Sequence, residues 1–194
     1  MNAQVTFVAK TMKMLALVFV VLTIHLFVLH LYVNNNLIFT LMITFGTTSY
    51  HFVMRLLTGF LINSLLKNRV NYHARWFQVR PAEQNFYKTI KVKKWKGKVA
   101  TYDPKSFDPA IHSWDEIAQA MCQAELVHEV IILLSFVPIL ASIPLGEPWV
   151  FTITSVLAAC VDAVFVIMQR FNRPRVMRLI TNLKSVEKEC SRSK

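Results

Sequence analysis

Acidic residues are scarce in this chain. Its 194 residues hold 11 Asp and Glu against 22 Lys and Arg, for a formal net charge of +11. Cysteine is scarcer still. Cys122, Cys160 and Cys190 cannot all pair and none lies in a paired spacing, which excludes a disulfide framework and fits reduced thiols. Internal repeats and low-complexity tracts are missing, and so is GxSxG, which removes a lipase-type serine nucleophile. His128-Glu129 does not extend to HExxH, because position 132 is Ile. Nothing resembles a nucleic-acid module, so the positive charge points to anionic membrane lipids and no nucleic acid is expected as a partner.

Apolar sequence, by contrast, is abundant: 54% of the residues are hydrophobic and the mean hydropathy is +0.40. About 20 apolar residues cross a bilayer. Four runs meet that requirement: Met14 to Val33, Leu37 to Leu66, Leu126 to Ile143, and Trp149 to Met168. The first ends in Asn34-Asn35-Asn36 with no small-residue cleavage site, so it reads as an anchor and not a secretory signal. Segments 1–13, 67–126 and 169–194 hold 2, 11 and 8 Lys or Arg, whereas the connections 34–36 and 144–148 hold none. The positive-inside rule then places both termini and the central segment in the cytoplasm, in a multi-pass protein of the cell membrane. The expected fold is an all-α integral membrane protein, 1–194 forming a single membrane domain. Four transmembrane helices would carry an interfacial amphipathic segment, 67–125, between spans two and three, and a basic C-terminal tail, 169–194.

That central segment interleaves rings with cations, as in WFQVRP at 76–81 and FYKTIKVKKWKGK at 86–98. Such a pattern suits the headgroup layer, where rings wedge in and ammonium groups meet phosphate. Asp-Pro at 103–104 and 108–109 marks turns. Next comes HSWDEIAQAMCQAELVHE, 112–129, which reads as a helix that begins in water and ends in hydrocarbon. Ser113 is its cap, and Asp115 and Glu116 in the first turn suit the positive end of the helix dipole.

Ionisable groups within apolar spans are costly unless paired or used. On span two, Thr48, His51, Arg55, Gly59 and Asn63 form one polar stripe. Arg55 should face protein, with Asp162 of span four as partner. Ser155, Asp162 and Gln169 share a face at heptad spacing. An Arg55–Asp162 pair serves equally to fix helix register or to line a cavity. On span three, Glu125, His128 and Glu129 place two carboxylates and an imidazole at the membrane boundary, the acid–base arrangement that deprotonates a hydroxyl. Glu125-x-x-His128 has no second copy, so no di-iron site and no metal or other cofactor is expected. Cys122 fits small-residue packing. The string MQRFNRPR, 168–175, brings Arg170, Arg173 and Arg175 to the cytoplasmic edge, where guanidinium groups grip phosphate or carboxylate, with Asn172 beside them and Pro174 ending or kinking the helix.

Several of these stretches come in a telling order: RWFQVR (75–80), FYKTIKVKKWK (86–96), DEI (115–117), AELVH (124–128) and MQRFNRPR (168–175). In them the sequence resembles the glycosyl-diaponeurosporenoate acyltransferase family, membrane enzymes that attach a fatty acyl chain to the sugar of a carotenoid glycoside. The resemblance implies O-acylation of a lipid-linked sugar, or of another lipid acceptor, by an acyl donor at the inner leaflet. The residues themselves suggest the roles. His128, or else His51, takes the proton from a hydroxyl, and Glu125 or Glu129 orients the imidazole. Arg55 stabilises the oxyanion, and Arg170, Asn172, Arg173 and Arg175 bind substrate together with Asp162, with His112 and Glu116 as outlying alternatives. The HxxxxD pattern of glycerolipid acyltransferases is absent. A non-enzymatic scaffold for envelope synthesis and a small transporter or flippase along His51, Arg55 and Asp162 are the competing readings, and a homo-oligomer is compatible with each.

Overall fold

The computed structural model describes residues 7–99 and 102–192. Those residues form helices and turns and contain no strand. Seven α-helices follow in order: α1 (Phe7–Tyr32), α2 (Asn36–Leu66), α3 (Pro81–Thr89), α4 (Val92–Trp95), α5 (Trp114–Leu134), α6 (Pro138–Leu145) and α7 (Pro148–Arg192). Short 3-10 turns at Arg75–Phe77, Lys96–Lys98 and Pro104–Phe107 lie between α2 and α5. Four helical stretches are long and apolar enough to cross a membrane: α1, α2, α5 together with α6, and α7. Their outer faces are apolar side chains, among them Leu17, Val21, Phe27, Leu61, Leu140 and Leu157. Such surface is costly in water and is at no disadvantage among lipid tails.

Local chemistry sets the helix ends. The Asn35 side chain accepts the Leu37 N–H at 2.8 Å, capping α2. Lys67 and Asn68 take positive φ and stop it. The buried amide of Gln123 fastens that end, accepting from the Asn68 N–H at 2.7 Å and donating to the Asn63 side chain at 3.1 Å. Pro81 stands at the start of α3, where its missing N–H has no intrahelical partner to lose. Ser113 and Glu116 form a reciprocal capping box on α5. The Ser113 N–H donates to the Glu116 carboxylate at 2.8 Å, and the Glu116 N–H donates to Ser113 Oγ at 3.3 Å.

At two boundaries the structure sharpens the expectation. The third span is not one helix: it breaks at residues 135–137 and restarts at Pro138, which has no N–H to continue the ladder of α5. Pro174 does not end its helix. It lies inside α7, which runs 45 residues, at the cost of the hydrogen bond its missing N–H would give to the Arg170 carbonyl. The basic segment after Arg175 continues the same helix to Arg192. A bilayer takes up about 20 residues of such a helix, fewer than half of the 45 in α7.

By packing, the chain divides into two compact units, Met1–Leu61 with Val127–Ala163, and Ile62–Leu126 with Val164–Lys194. The first is built from membrane helices whose buried positions are mostly small or hydroxylated: Ala16, Thr47, Ser49, Ser135, Ser155, Ala158. Small residues let helix backbones approach where burial against lipid supplies little drive. The second unit gathers Phe77, Tyr87, Val92, Ile117, Met121 and Ile180 into a core.

Candidate functional site

In the first unit, one carboxylate organises three helices. Asp162 on α7 is 1% exposed. Its Oδ2 receives Arg55 of α2 through Nε at 2.9 Å and Nη2 at 2.5 Å. Its Oδ1 lies 2.9 Å from Nδ1 of His128 on α5. Arg55 Nη2 also donates to the Ala158 carbonyl at 3.0 Å and Nη1 to that of His51 at 3.3 Å, so all three guanidinium nitrogens are held. The charges of Arg55 and Asp162 offset one another, as burial demands. In a neutral imidazole, a proton on Nδ1 toward the carboxylate leaves the lone pair on Nε2. The His128 side chain keeps 23% of its surface exposed, against 1% for Asp162.

Residues expected from the sequence thus meet across spans two, three and four, with one change of partner. The carboxylate that orients His128 is Asp162, not Glu125. Glu125 lies in the second unit, fully buried, with Oε1 receiving Arg170 Nη1 at 2.6 Å and Oε2 lying 2.5 Å from Arg173 Nη1. Glu129 is half-buried on α5. The His51 ring is buried, and neither of its nitrogens has a hydrogen-bond partner among the described residues. Ser155, Asp162 and Gln169 are all buried, as one inward face of α7 requires.

Around Glu125 the second unit builds a network of ion pairs. Arg170 grips Glu83 of α3 with Nε at 2.8 Å and Nη2 at 3.0 Å, and donates to the backbone carbonyl of Trp76 at 3.2 Å. Tyr87 donates its hydroxyl to Glu83 at 3.1 Å. Burial pushes the Glu83 carboxyl up, but the bonds from Arg170 and Tyr87 outweigh it and hold the group below its ordinary 4.5. Burial and the Glu83 charge push the Tyr87 hydroxyl up to about 12. Arg173, 2% exposed, donates to Cys122 Sγ at 3.2 Å and lies 5.3 Å from the Phe77 ring centroid. Two arginines against two carboxylates leave no net charge. Sequence reading missed Glu83 and Tyr87. The signal was a lone acid beside Pro81, in a stretch otherwise crowded with Lys and Arg.

The remaining expected residues stand elsewhere. Asn172 accepts from Lys96, and the Arg175 guanidinium lies 4.9 Å from the Phe171 ring centroid. Glu116 is taken up by its capping box, with His112 Nδ1 3.7 Å away. Asp115 accepts from Tyr72, whose hydroxyl that bond, burial and the Asp115 charge push up to about 12. Among the described residues no three His, Cys, Asp or Glu gather as metal ligands would. Each unit also has a cavity. The first unit's is about 360 Å³ and apolar, lined by Ile24, Phe27, Met42, Ile43, Leu145 and Phe151 among others. That of the second is about 280 Å³, with Tyr72, His73, Gln78, Gln84 and Arg173 on its walls.

Residues 73–182 match the glycosyl-4,4'-diaponeurosporenoate acyltransferase family, over a stretch that contains Glu83, Glu125, His128, Asp162 and the three arginines of α7. No curated protein matches the chain. No solved structure matches it either. The matched segment exceeds half of the chain, and the chain belongs to the glycosyl-4,4'-diaponeurosporenoate acyltransferase family, membrane acyltransferases of carotenoid biosynthesis.

Proposed function

We propose that this protein is an O-acyltransferase that moves a fatty acyl chain from an activated ester or thioester to a hydroxyl of a lipid-linked sugar at the inner leaflet. The observation that carries the reading is the His128–Asp162 pair. Asp162 fixes one tautomer and orientation of the ring, so Nε2 accepts the hydroxyl proton as the oxygen attacks the acyl carbonyl carbon. The new C–O bond forms as the bond from the carbonyl carbon to the donor's sulfur or oxygen breaks. His128 then returns the proton to the leaving group. Asp162 stabilises the imidazolium between these steps. Arg55 is a positioning residue: its nitrogens hold Asp162 and two backbone carbonyls, which argues against the oxyanion role that the sequence suggests. His51, buried one helical turn from Arg55, is the weaker candidate for the base. An apolar cavity in the same unit has the chemistry to hold a hydrocarbon chain.

The inner-leaflet placement, with both termini cytoplasmic, rests on the distribution of Lys and Arg. The experiment is acyl incorporation into a purified glycolipid acceptor by detergent-solubilised protein, with lipids of expressing and deleted cells compared by mass spectrometry. Loss of an acylated glycolipid, with its acceptor accumulating lighter by one acyl group, is the expected result. Unchanged lipids, together with a stable complex with another envelope enzyme, would favour the scaffold instead.

A further inference from the structure

Of the three α7 arginines that the sequence offers as anion ligands, two are matched by carboxylates and the third is not. Arg170 has Glu83 and Glu125, and Arg173 has Glu125. Arg175 has no carboxylate within ion-pair distance among the described residues, and neither do Lys93 and Lys96 of the α4 region; the charges of Arg175 and of Lys93 both act on Lys96. Lys96 Nζ lies 5.1 Å and the Arg175 guanidinium carbon 4.9 Å from the centroid of the same Phe171 ring. The two charges are therefore within about 10 Å of each other, a separation on the order of the Debye length in dilute salt. Lys96 also donates to the Asn172 side chain, so its ammonium is held and not free to swing away.

Bringing like charges together is unfavourable unless something of opposite sign joins them. Burial, then Arg175, then Lys93, lower the pKa of Lys96. The carboxylates of Glu83 on α3 and Glu125 on α5 pair with Arg170 and Arg173, one turn from Arg175 on α7. The ring of Phe171 draws the cations to its face without neutralising them. A tetrahedral oxyanion would satisfy all these groups, because Arg offers a planar fork and Lys offers three donors.

We propose that Lys93, Lys96 and Arg175, set on Asn172 and the Phe171 ring, form a binding site for the phosphate group of an amphiphilic ligand. The phosphate belongs either to a soluble acyl donor such as a coenzyme A thioester or to a phospholipid headgroup. This deepens the acyl-transfer reading, on which the identity of the phosphate's bearer rests, but its test does not require turnover.

Purified full-length protein in a phosphate-free sugar detergent is titrated with coenzyme A and, separately, with phosphatidic acid, bound ligand being counted by native mass spectrometry. Saturable binding of coenzyme A identifies a soluble donor, and binding of phosphatidic acid alone identifies a lipid headgroup. Lys96→Gln/Arg175→Gln is expected to weaken the bound probe by roughly ten- to a hundredfold, as the loss of charge-assisted contacts implies. Lys188→Gln, a basic residue farther along α7, leaves binding at the wild-type level. Should the double variant not fold, Lys93→Gln and Arg175→Gln at exposed positions carry the test. Failure of both probes to bind wild-type protein, or unchanged affinity in the double variant or in both single ones, overturns the proposal. His128→Ala is expected to bind as wild type does. Binding without transfer in that variant, and transfer without binding in Lys96→Gln/Arg175→Gln, separate the failure of one reading from the failure of the other.

Discussion

Both units bury charge, and they do so differently. The first sets one carboxylate, Asp162, against one guanidinium and one imidazole, and leaves the imidazole partly open. The second sets two carboxylates against two guanidinium groups, with Glu125 sealed completely and Arg173 nearly so. A network in which each buried carboxylate meets an arginine has the character of a lock. A carboxylate that orients a partly exposed histidine is the arrangement that the proposed transfer uses. The unit of origin matters less than this difference in stoichiometry and access.

The sharpest way to break the comparison is at His128. His128→Ala is expected to lower acyl transfer by roughly 10²–10⁴-fold, the contribution of a positioned general base. Its thermal stability in detergent should stay close to wild type, since the removed ring is partly exposed. Asp162→Asn should lose a similar factor in transfer and also lose stability, because the same change leaves Arg55 without its counter-ion. Wild-type transfer rates in His128→Ala would assign the chemistry elsewhere, with His51 first in line.

In the second unit the expectation reverses, with stability as the readout. Glu125→Gln leaves Arg173 buried beside no carboxylate, a fault that costs about 3–5 kcal/mol in proteins. Converting the partner as well, in Glu125→Gln/Arg173→Met, should recover much of the loss, because an apolar side chain of similar length has no charge to bury. The measurement is denaturant or thermal unfolding, and a single variant as stable as wild type would show that the network is no lock. Glu83 adds a pH dependence of known sign. Its carboxyl is held below 4.5 in the folded chain, so the unfolded chain binds more protons as the pH falls. The stabilisation is present above about pH 4.5 and disappears as pH falls through the folded value. Glu83→Gln should reduce stability near neutrality by about 1 kcal/mol, the scale for a partly exposed pair. It should also flatten the acid limb of the curve.

Much of this architecture could be read from residue order. Hydropathy marks the four membrane helices because length and apolarity are local properties, and Ser113 with Glu116 announces the start of α5 three residues apart. The Arg55–Asp162 pair was legible for a different reason: each is the one charge of its sign within its span. The partner of His128 was not legible. Two carboxylates, Glu125 and Glu129, lie closer to it in sequence than Asp162 does, and which one reaches the ring depends on how α5 and α7 are rotated. Pro174 left two outcomes open, an end or a kink, and the helix continues through it. A proline weakens a helix by one hydrogen bond, but whether the helix stops depends on packing on both sides, and buried Arg173 and Ile180 hold α7 in place there.

The smallest effect concerns the cap of α5, and it distinguishes a loss of stability from a loss of chemistry. Ser113→Ala removes the oxygen that accepts the Glu116 N–H and should cost about 1 kcal/mol. That cost falls on the first turn of α5, two to three turns before Glu125, which leaves the carboxylates and His128 chemically intact. The variant should unfold at a lower temperature, while transfer per folded molecule stays at the wild-type value. A matching fall in transfer would mean that the start of α5 bears on the reacting groups, and the division into a lock and a catalyst would then be too simple.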